Sequence, residues 1–470
     1  MPFTSEADAI PYIFRSLRKR GLLRPDPAVS VSTLDEHTRD VSPTRRLLGM
    51  MGLLDSTREY AVVTGSKGKG STTAITAKLL QHLGHTVGMI TSPHLVSYRE
   101  RIRVNGRAIP EADLVRILGD LEPQIDAIEA QIDPGRYFSP QGIFLGIALQ
   151  WFGEQGVDVG VLEVGRGGRY DDIAVVHNLL SLFTPIMLEH TNYLGDSLKQ
   201  IAWHKAGIIK PMSYAYSVPQ AHEVLDTIQA EADGQNAQFA WIAPMDMGEY
   251  TGTDGDDHPT GAGVRFRLGR YGDLKIAQLG RYQVDNATLA IQGAGNLHGR
   301  LSQPDRAPIP HGSQTYIDAI RAGLLDVRFP GRLHKLAARP TVYVDGAING
   351  ESARALLASL DGRMPDPIIA IVCIPDDKDY IGVYREVCLA AEAIILTETP
   401  RNVTLHFLDA DAAVAAARRF NDDVTHTRTL DAALEIARRR AGTDGTILIV
   451  GTQSIVADAI NLWGISAEQI

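Results

Sequence analysis

Apolar residues along this chain gather into short runs separated by stretches of helical spacing. Residues 60–64, 86–91, 157–164 and 180–185 are such runs, bounded by turn residues, and they predict strands buried on both faces. Alternation with helical patterns predicts a parallel sheet flanked by helices, an α/β architecture. After residue 73, Ala74, Ile75, Leu79, Leu80 and Leu83 fall near helical spacing, and Gly84 supplies a stop. From residue 234 to about 282 the pattern breaks into short pieces with turn chemistry such as Thr253-Asp254-Gly255-Asp256-Asp257, which predicts hairpins in a late β-rich section of the first domain. Pro304, Pro308 and Pro310 make residues 301–312 a loop or insertion. A second α/β rhythm follows, with strand-like residues 341–344, 368–374, 393–396 and 446–450.

At 470 residues the chain exceeds one typical core. The change of rhythm sets a boundary near residues 327–333, giving a domain of residues 1–328 and a smaller one of residues 329–470. A formal net charge of −10, with no basic stretch interleaved with aromatics, argues against nucleic acid as a partner. No run reaches the ~18 apolar residues of a membrane span, and the N-terminus lacks a basic segment leading into an apolar one. A cytoplasmic protein without a membrane partner, monomeric or a small homo-oligomer, is expected. Cys373 and Cys388 make no metal spacing and are expected reduced in the core.

The densest chemical signal lies at Val62-Val63-Thr64-Gly65-Ser66-Lys67-Gly68-Lys69-Gly70-Ser71-Thr72-Thr73. A β-branched segment runs through a glycine-dense loop into a helix, the construction of a nucleotide-phosphate cradle. Glycines let backbone N–H groups turn toward an anion, the helix N-terminus adds partial positive charge, Lys69 can reach outer phosphates, and Ser71 can ligate Mg²⁺. The spacing departs from the generic P-loop pattern: two residues separate Gly65 from Gly68-Lys69, and Gly70 intervenes before Ser71. A glycine-rich turn without a ligand is the competing reading.

Downstream, Leu162-Glu163-Val164-Gly165-Arg166-Gly167-Gly168-Arg169, Thr184-Pro185-Ile186-Met187-Leu188-Glu189-His190 and His204-Lys205-Ala206-Gly207-Ile208-Ile209-Lys210 each set a charged or metal-binding residue beside an apolar run. In open α/β sheets ligands bind at the carboxyl ends of strands, where Glu163 and His190 could converge. Taken singly, Glu163 reads better as a solvated strand end, His190 as a satisfied core histidine and Lys205 as an exposed helix lysine.

Taken in order, these segments resemble the folylpolyglutamate synthase and dihydrofolate synthase family, a branch of the Mur ligases. The resemblance spans nearly everything after residue 48. It includes Ser92-Pro93-His94-Leu95, Glu100-Arg101-Ile102-Arg103-Val104-Asn105-Gly106, Tyr193-Leu194-Gly195-Asp196, Gly280-Arg281-Tyr282-Gln283-Val284-Asp285-Asn286-Ala287, Pro330-Gly331-Arg332-Leu333 and Asp345-Gly346-Ala347. It implies a P-loop parallel-sheet ATPase domain of Mur ligase type followed by a Rossmann-like α/β domain. By the same resemblance Gly65, Gly68, Lys69, Gly70, Ser71 and Thr72 hold ATP with Asn286, Arg332 and Asp345. Ser71 and Glu163 would hold one Mg²⁺ and His190 a second, supported by Lys205 as a carbamate; Lys69, His190 and Lys205 would serve catalysis. The implied reaction joins a folate-like carboxylate to an amine through an acyl phosphate, releasing ADP and phosphate.

Departures gather around the substrates. Ser66-Lys67 stands where Thr-Asn is usual, and Ile348 where the family carries a histidine associated with the incoming glutamate. Glu189 replaces the usual aspartate before His190, Tyr170-Asp171-Asp172-Ile173 departs from the usual Leu-Asp-Ala-Thr, and Thr452-Gln453-Ser454 stands near a common Gly-Ser pair. Ile348 cannot donate a hydrogen bond, which opens the amine acceptor and favours a specialised branch. A catalytically weak nucleotide-binding subunit and a P-loop motor or switch are the readings of other classes; the full set of Lys69, Ser71, Glu163, His190 and Lys205 argues for a ligase.

Overall fold

Three sheets organise the chain. A computed structural model describes residues 3–19, 34–54, 58–133, 136–255, 261–301, 309–402 and 405–470. The first sheet is built from β1 (Glu59–Thr64), β2 (Val87–Ile90), β3 (Ile102–Val104), β4 (Arg107–Ala108), β5 (Val159–Glu163), β6 (Leu180–Phe183), β7 (Tyr214–Ser217) and β8 (Gln238–Trp241). Its order is β4-β3-β2-β5-β1-β6-β7-β8, parallel from β2 to β8, with β3 and β4 as an antiparallel edge hairpin. The chain reverses direction of travel at β1, which lies between β5 and β6, so the carboxyl ends of these three strands border a crevice.

The central strands are buried nearly end to end because helices cover both faces. The helix Lys69–His82 packs against helices Gln283–Arg300 and Gln314–Asp326 on one face. The apolar helix Pro140–Glu154 lies in the other core, with Phe144 and Phe152 buried.

A three-stranded antiparallel sheet follows, from β9 (Glu249–Asp254), β10 (Gly263–Leu268) and β11 (Gly272–Ile276). It accounts for the hairpin chemistry expected within residues 234–282, but Gln238–Trp241 instead joins the large sheet beside β7. That strand is mostly exposed at the edge, so it carries no burial pattern to read. Part of the turn around Asp256-Asp257, and Pro304 and Pro308, lie outside the described residues.

The third sheet contains β12 (His334–Ala338), β13 (Thr341–Asp345), β14 (Ile368–Cys373), β15 (Ala393–Leu396), β16 (Val424–His426) and β17 (Thr446–Gly451). Its order is β12-β13-β17-β14-β15-β16, with only β12 antiparallel. Cys373 and Cys388 are free and buried, and burial pushes the Cys388 thiol up to about 12.

Beyond the helix Gln453–Leu462 the chain crosses back to the first sheet. Gln469 forms a β-bridge with Arg107, Ala108 N–H donates to the Glu468 carbonyl at 2.8 Å, and Ile470 N–H donates to the Gly106 carbonyl at 3.1 Å. The Arg103 guanidinium donates to the carbonyls of Glu468 at 2.8 Å and Ala467 at 2.5 Å. Arg99 adds an ion pair to Glu468 at 2.5 Å. The chain therefore connects the two larger sheets through residues 327–333 and returns to the first through this segment.

Candidate active site

The glycine-dense loop leaves the end of β1 and is pinned on its far side by the segment after β6. Ser66 N–H donates to the Pro185 carbonyl at 2.7 Å, and the Ser66 hydroxyl accepts from Met187 N–H at 2.9 Å and donates to its carbonyl at 3.2 Å. Gly68, at φ +84°, opens the helix Lys69–His82. A Cβ on Gly68 would run into the Asn286 amide, and one on Gly70 would lie 3.1 Å from the Phe329 ring and 3.5 Å from Glu163 Oε1. Gly65, at φ +143°, lies so close to Thr184 that a Cβ would strike its hydroxyl and approach its carbonyl oxygen to 2.8 Å. Glycine is needed here for both backbone and space. Gly65→Ala is accordingly expected to lose nucleotide affinity in a binding titration while the chain still folds; unchanged affinity would mean the loop geometry is irrelevant to the ligand.

Two lysines converge on one carbonyl. Lys69 Nζ donates to Gly65 O at 3.0 Å, and Lys205 Nζ donates to the same oxygen at 2.7 Å. Lys205 also donates to Arg166 O at 3.1 Å and Glu189 Oε1 at 3.3 Å. Its side chain is fully buried, far from the exposed helix lysine that position alone allows. Burial, reinforced by Lys69, brings the Lys205 amine down to about 7. Burial works to raise the Glu189 carboxyl, yet Lys205 and Lys69 outweigh it and hold that group below its ordinary value. Lys67 is also lowered, first by burial and then by Lys69 and Arg332.

Glu163 ends β5 with 4 % of its surface exposed, and its Oε2 accepts from Ser92 N–H at 2.8 Å. Burial lifts its carboxyl to about 6 despite Lys69, Ser92 and Arg332. A buried carboxylate so incompletely compensated is a position that a divalent cation would relieve. Ser71 is buried one residue past Gly70. Among the described residues no group of three or more His, Cys, Asp or Glu is assembled to hold a metal. A cation beside Glu163 would therefore draw on hydroxyl and phosphate oxygens.

His190 is exposed, at φ +51°, immediately before the short helix Thr191–Leu194. It lies within electrostatic reach of Glu189, Lys205, Lys69 and Arg166. Thr72 is fully buried and its hydroxyl donates to Asn286 Oδ1 at 3.4 Å, while Asn286 Nδ2 donates to Gln283 Oε1 at 2.9 Å. These two side chains thus tie the loop helix to the helix Gln283–Arg300.

The third sheet contributes the opposite wall. Asp345 ends β13, accepts from Leu333 N–H at 2.7 Å, and is raised by burial, with Arg332 opposing. The Arg332 guanidinium lies 5.9 Å from the Phe329 ring centroid. His94, Leu95, Arg103, Phe329, Arg332 and Gln453 line a groove between the sheets. Ile348 packs against the apolar core of the third sheet.

Sequence reading missed the network that holds residues 165–171. Arg166 pairs with buried Asp35 through two hydrogen bonds, at 2.5 and 3.0 Å, and lies 3.6 Å from the centroid of the Tyr193 ring. Asp171 accepts from Gly165 N–H at 3.0 Å and pairs with Arg39 at 3.4 Å. The glycine-dense run around Arg166 was the available signal; Asp35 and Arg39 lie over 120 residues away in sequence and carry none.

Residues 331–453 match the Mur ligase, glutamate ligase domain. The chain is 30% identical over 427 residues to the dihydrofolate synthase/folylpolyglutamate synthase of Bacillus subtilis, covering 88% of this chain and 92% of that protein. It is 31% identical over 424 residues to a probable bifunctional folylpolyglutamate synthase/dihydropteroate synthase of Haloferax volcanii, covering 89% of this chain but 48% of that longer protein. A crystal structure of Mycobacterium tuberculosis folylpolyglutamate synthase complexed with ADP and AMPPCP superposes with a TM-score of 0.78 at 26% identity, covering 97% of this chain and 99% of the other.

Proposed function

The chain belongs to the folylpolyglutamate synthase and dihydrofolate synthase family of ATP-dependent, ADP-forming ligases, and from that premise we propose that it joins a folate-like carboxylate to an amino acid. The observation that carries this reading is the convergence at Gly65: Lys69 and Lys205 meet on its carbonyl, Glu163 adjoins Gly70, and Arg332 with Asp345 faces the same loop from the third sheet. We take residues 1–328 as the ATP-binding and central ligase domain and residues 329–470 as the second ligase domain.

Gly65, Gly68, Gly70, Ser71 and Thr72 shape the cradle, Lys69 neutralises the transferring phosphoryl group, and Asn286, Arg332 and Asp345 hold the nucleotide. Glu163 and Ser71 are the residues for one Mg²⁺ and His190 for a second; when bound, the ions would offset phosphate charge. The γ-phosphoryl group passes to the substrate carboxylate, an amine attacks the acyl carbon, and inorganic phosphate leaves. Glu163, Asp345 and Lys205 are buried around the loop, and closure of the two domains over the substrates would exclude water from the acyl phosphate. The depressed amine of Lys205 supports its modification as a carbamate, since CO₂ adds only to the neutral form. Incubation with ATP, magnesium, dihydropteroate or a folate, and glutamate tests the assignment. Stoichiometric ADP and a mass gain of one glutamate are expected; ATP hydrolysis without a conjugate would reject the ligase reading.

Ile348 bears on the amine. Its apolar side chain, partly buried against the core of the third sheet, offers a carboxylate no donor. A hydrogen bond to a charged group is worth roughly 1.5–3 kcal/mol, or ~10- to 100-fold in affinity. The Ile348→His variant is expected to lower the KM for glutamate. Efficient glutamylation by the unmodified protein, with no gain in the variant, would dismiss a specialised acceptor.

A further inference from the structure

The cradle loop carries two lysines in unlike surroundings. Lys69 is engaged by the Gly65 carbonyl at 3.0 Å, whereas half-buried Lys67 has no hydrogen-bond or ion-pair partner among the described residues. Its backbone is fixed in place by the Ser66 contacts to Pro185 and Met187 on one side and the helix start at Gly68 on the other. The charges facing Lys67 are Glu189 and Lys69 from the large-sheet side and Arg332 and Asp345 from the third sheet. Lys67, Lys69 and Arg332 thus bring three cations together in a partly buried crevice, where the carboxylates of Glu189 and Asp345 offset their repulsion only in part. An anion with several charged oxygens would turn that repulsion into attraction.

We propose that Lys67 is a second phosphate-contacting lysine, engaging the terminal phosphoryl group of ATP opposite Arg332. The inference rests on the ATP-dependent reaction set out above and adds the residue that senses the third phosphate. During transfer the P–O bond to the bridging oxygen breaks, its electron pair leaves with ADP, and a new P–O bond forms to the substrate carboxylate oxygen; no proton moves. Charge spread over the three outer oxygens of the moving group is what Lys67 meets. ADP lacks those oxygens, so loss of Lys67 weakens binding of the triphosphate and spares that of ADP.

Calorimetric titration of magnesium with ADP, and of magnesium with a non-hydrolysable ATP analogue, into the wild type, Lys67→Ala, Lys67→Arg and Lys69→Ala tests this. Lys67→Ala is expected to lose ~10- to 100-fold in affinity for the analogue, with ADP little changed and arginine restoring most of the loss. The melting temperature of the unliganded variant should be little changed, because Lys67 makes no hydrogen bond or ion pair among the described residues and faces two carboxylates as well as two cations. Should the alanine variant misfold, Lys67→Gln makes the same comparison with a stem of similar length. Equal losses for both nucleotides, or unchanged analogue binding, would overturn the proposal. Failure of the underlying ATP reading looks different: the wild type would then bind neither nucleotide.

Discussion

Lys69→Ala is expected to cut ATP-dependent turnover by ~10²- to 10³-fold, because one preorganised charge at a developing anion is worth about 3–4 kcal/mol. The fold should survive. Lys69 is only partly buried, and the hydrogen bond from its amine to Gly65 O is worth about 1 kcal/mol net. Circular dichroism and a melt alongside steady-state kinetics check both halves of the expectation. Turnover within a few-fold of wild type would remove Lys69 from the phosphate site and with it the cradle assignment.

Lys205→Ala is expected to abolish most activity, with partial recovery when a small carboxylate such as acetate is added. The sign of the accompanying pH effect follows from the amine, which is brought down to about 7 from the ordinary lysine value of 10.5. The ammonium form dominates below that value. As pH rises through it the neutral amine grows, CO₂ adds to its nitrogen, and a proton is released to give the carbamate. Activity should therefore climb through neutral pH and respond to bicarbonate. Isotope-labelled bicarbonate followed by carbon NMR would reveal the adduct. An active, metal-loaded enzyme with an unmodified Lys205 amine would exclude the carbamate and leave the ligase assignment standing.

Residues dominated by burial were the most legible in the sequence. The strand-like residues 60–64 and 393–396 correspond closely to Glu59–Thr64 and Ala393–Leu396, since central parallel strands are apolar on both faces. Edge elements were not. Gln238–Trp241 is held by β7 and the preceding helix rather than by its own apolar pattern, and Val424–His426 is too short to show a period. Within the site, Gly65 and Gly68 were legible because positive φ and close approach leave glycine little competition. Lys205 became legible only through the family resemblance, since nothing local says that a lysine on Leu198–Ala206 faces inward. Asp35 was invisible because its partner Arg166 is brought to it by tertiary folding alone.

The returning segment at Ala467, Glu468 and Gln469 has a mechanical meaning. Were the third sheet joined to the first only through residues 327–333, it could swing in any direction about that strand of chain. A second attachment, made by Arg103 and the β3–β4 hairpin, removes most of those freedoms. Rotation about the line through both attachments, like a door on two hinges, is the motion that these two attachments by themselves constrain least. A movement of that kind would bring Arg332 and Asp345 back to the same point over the loop, and cutting the Arg103 contacts would loosen that return.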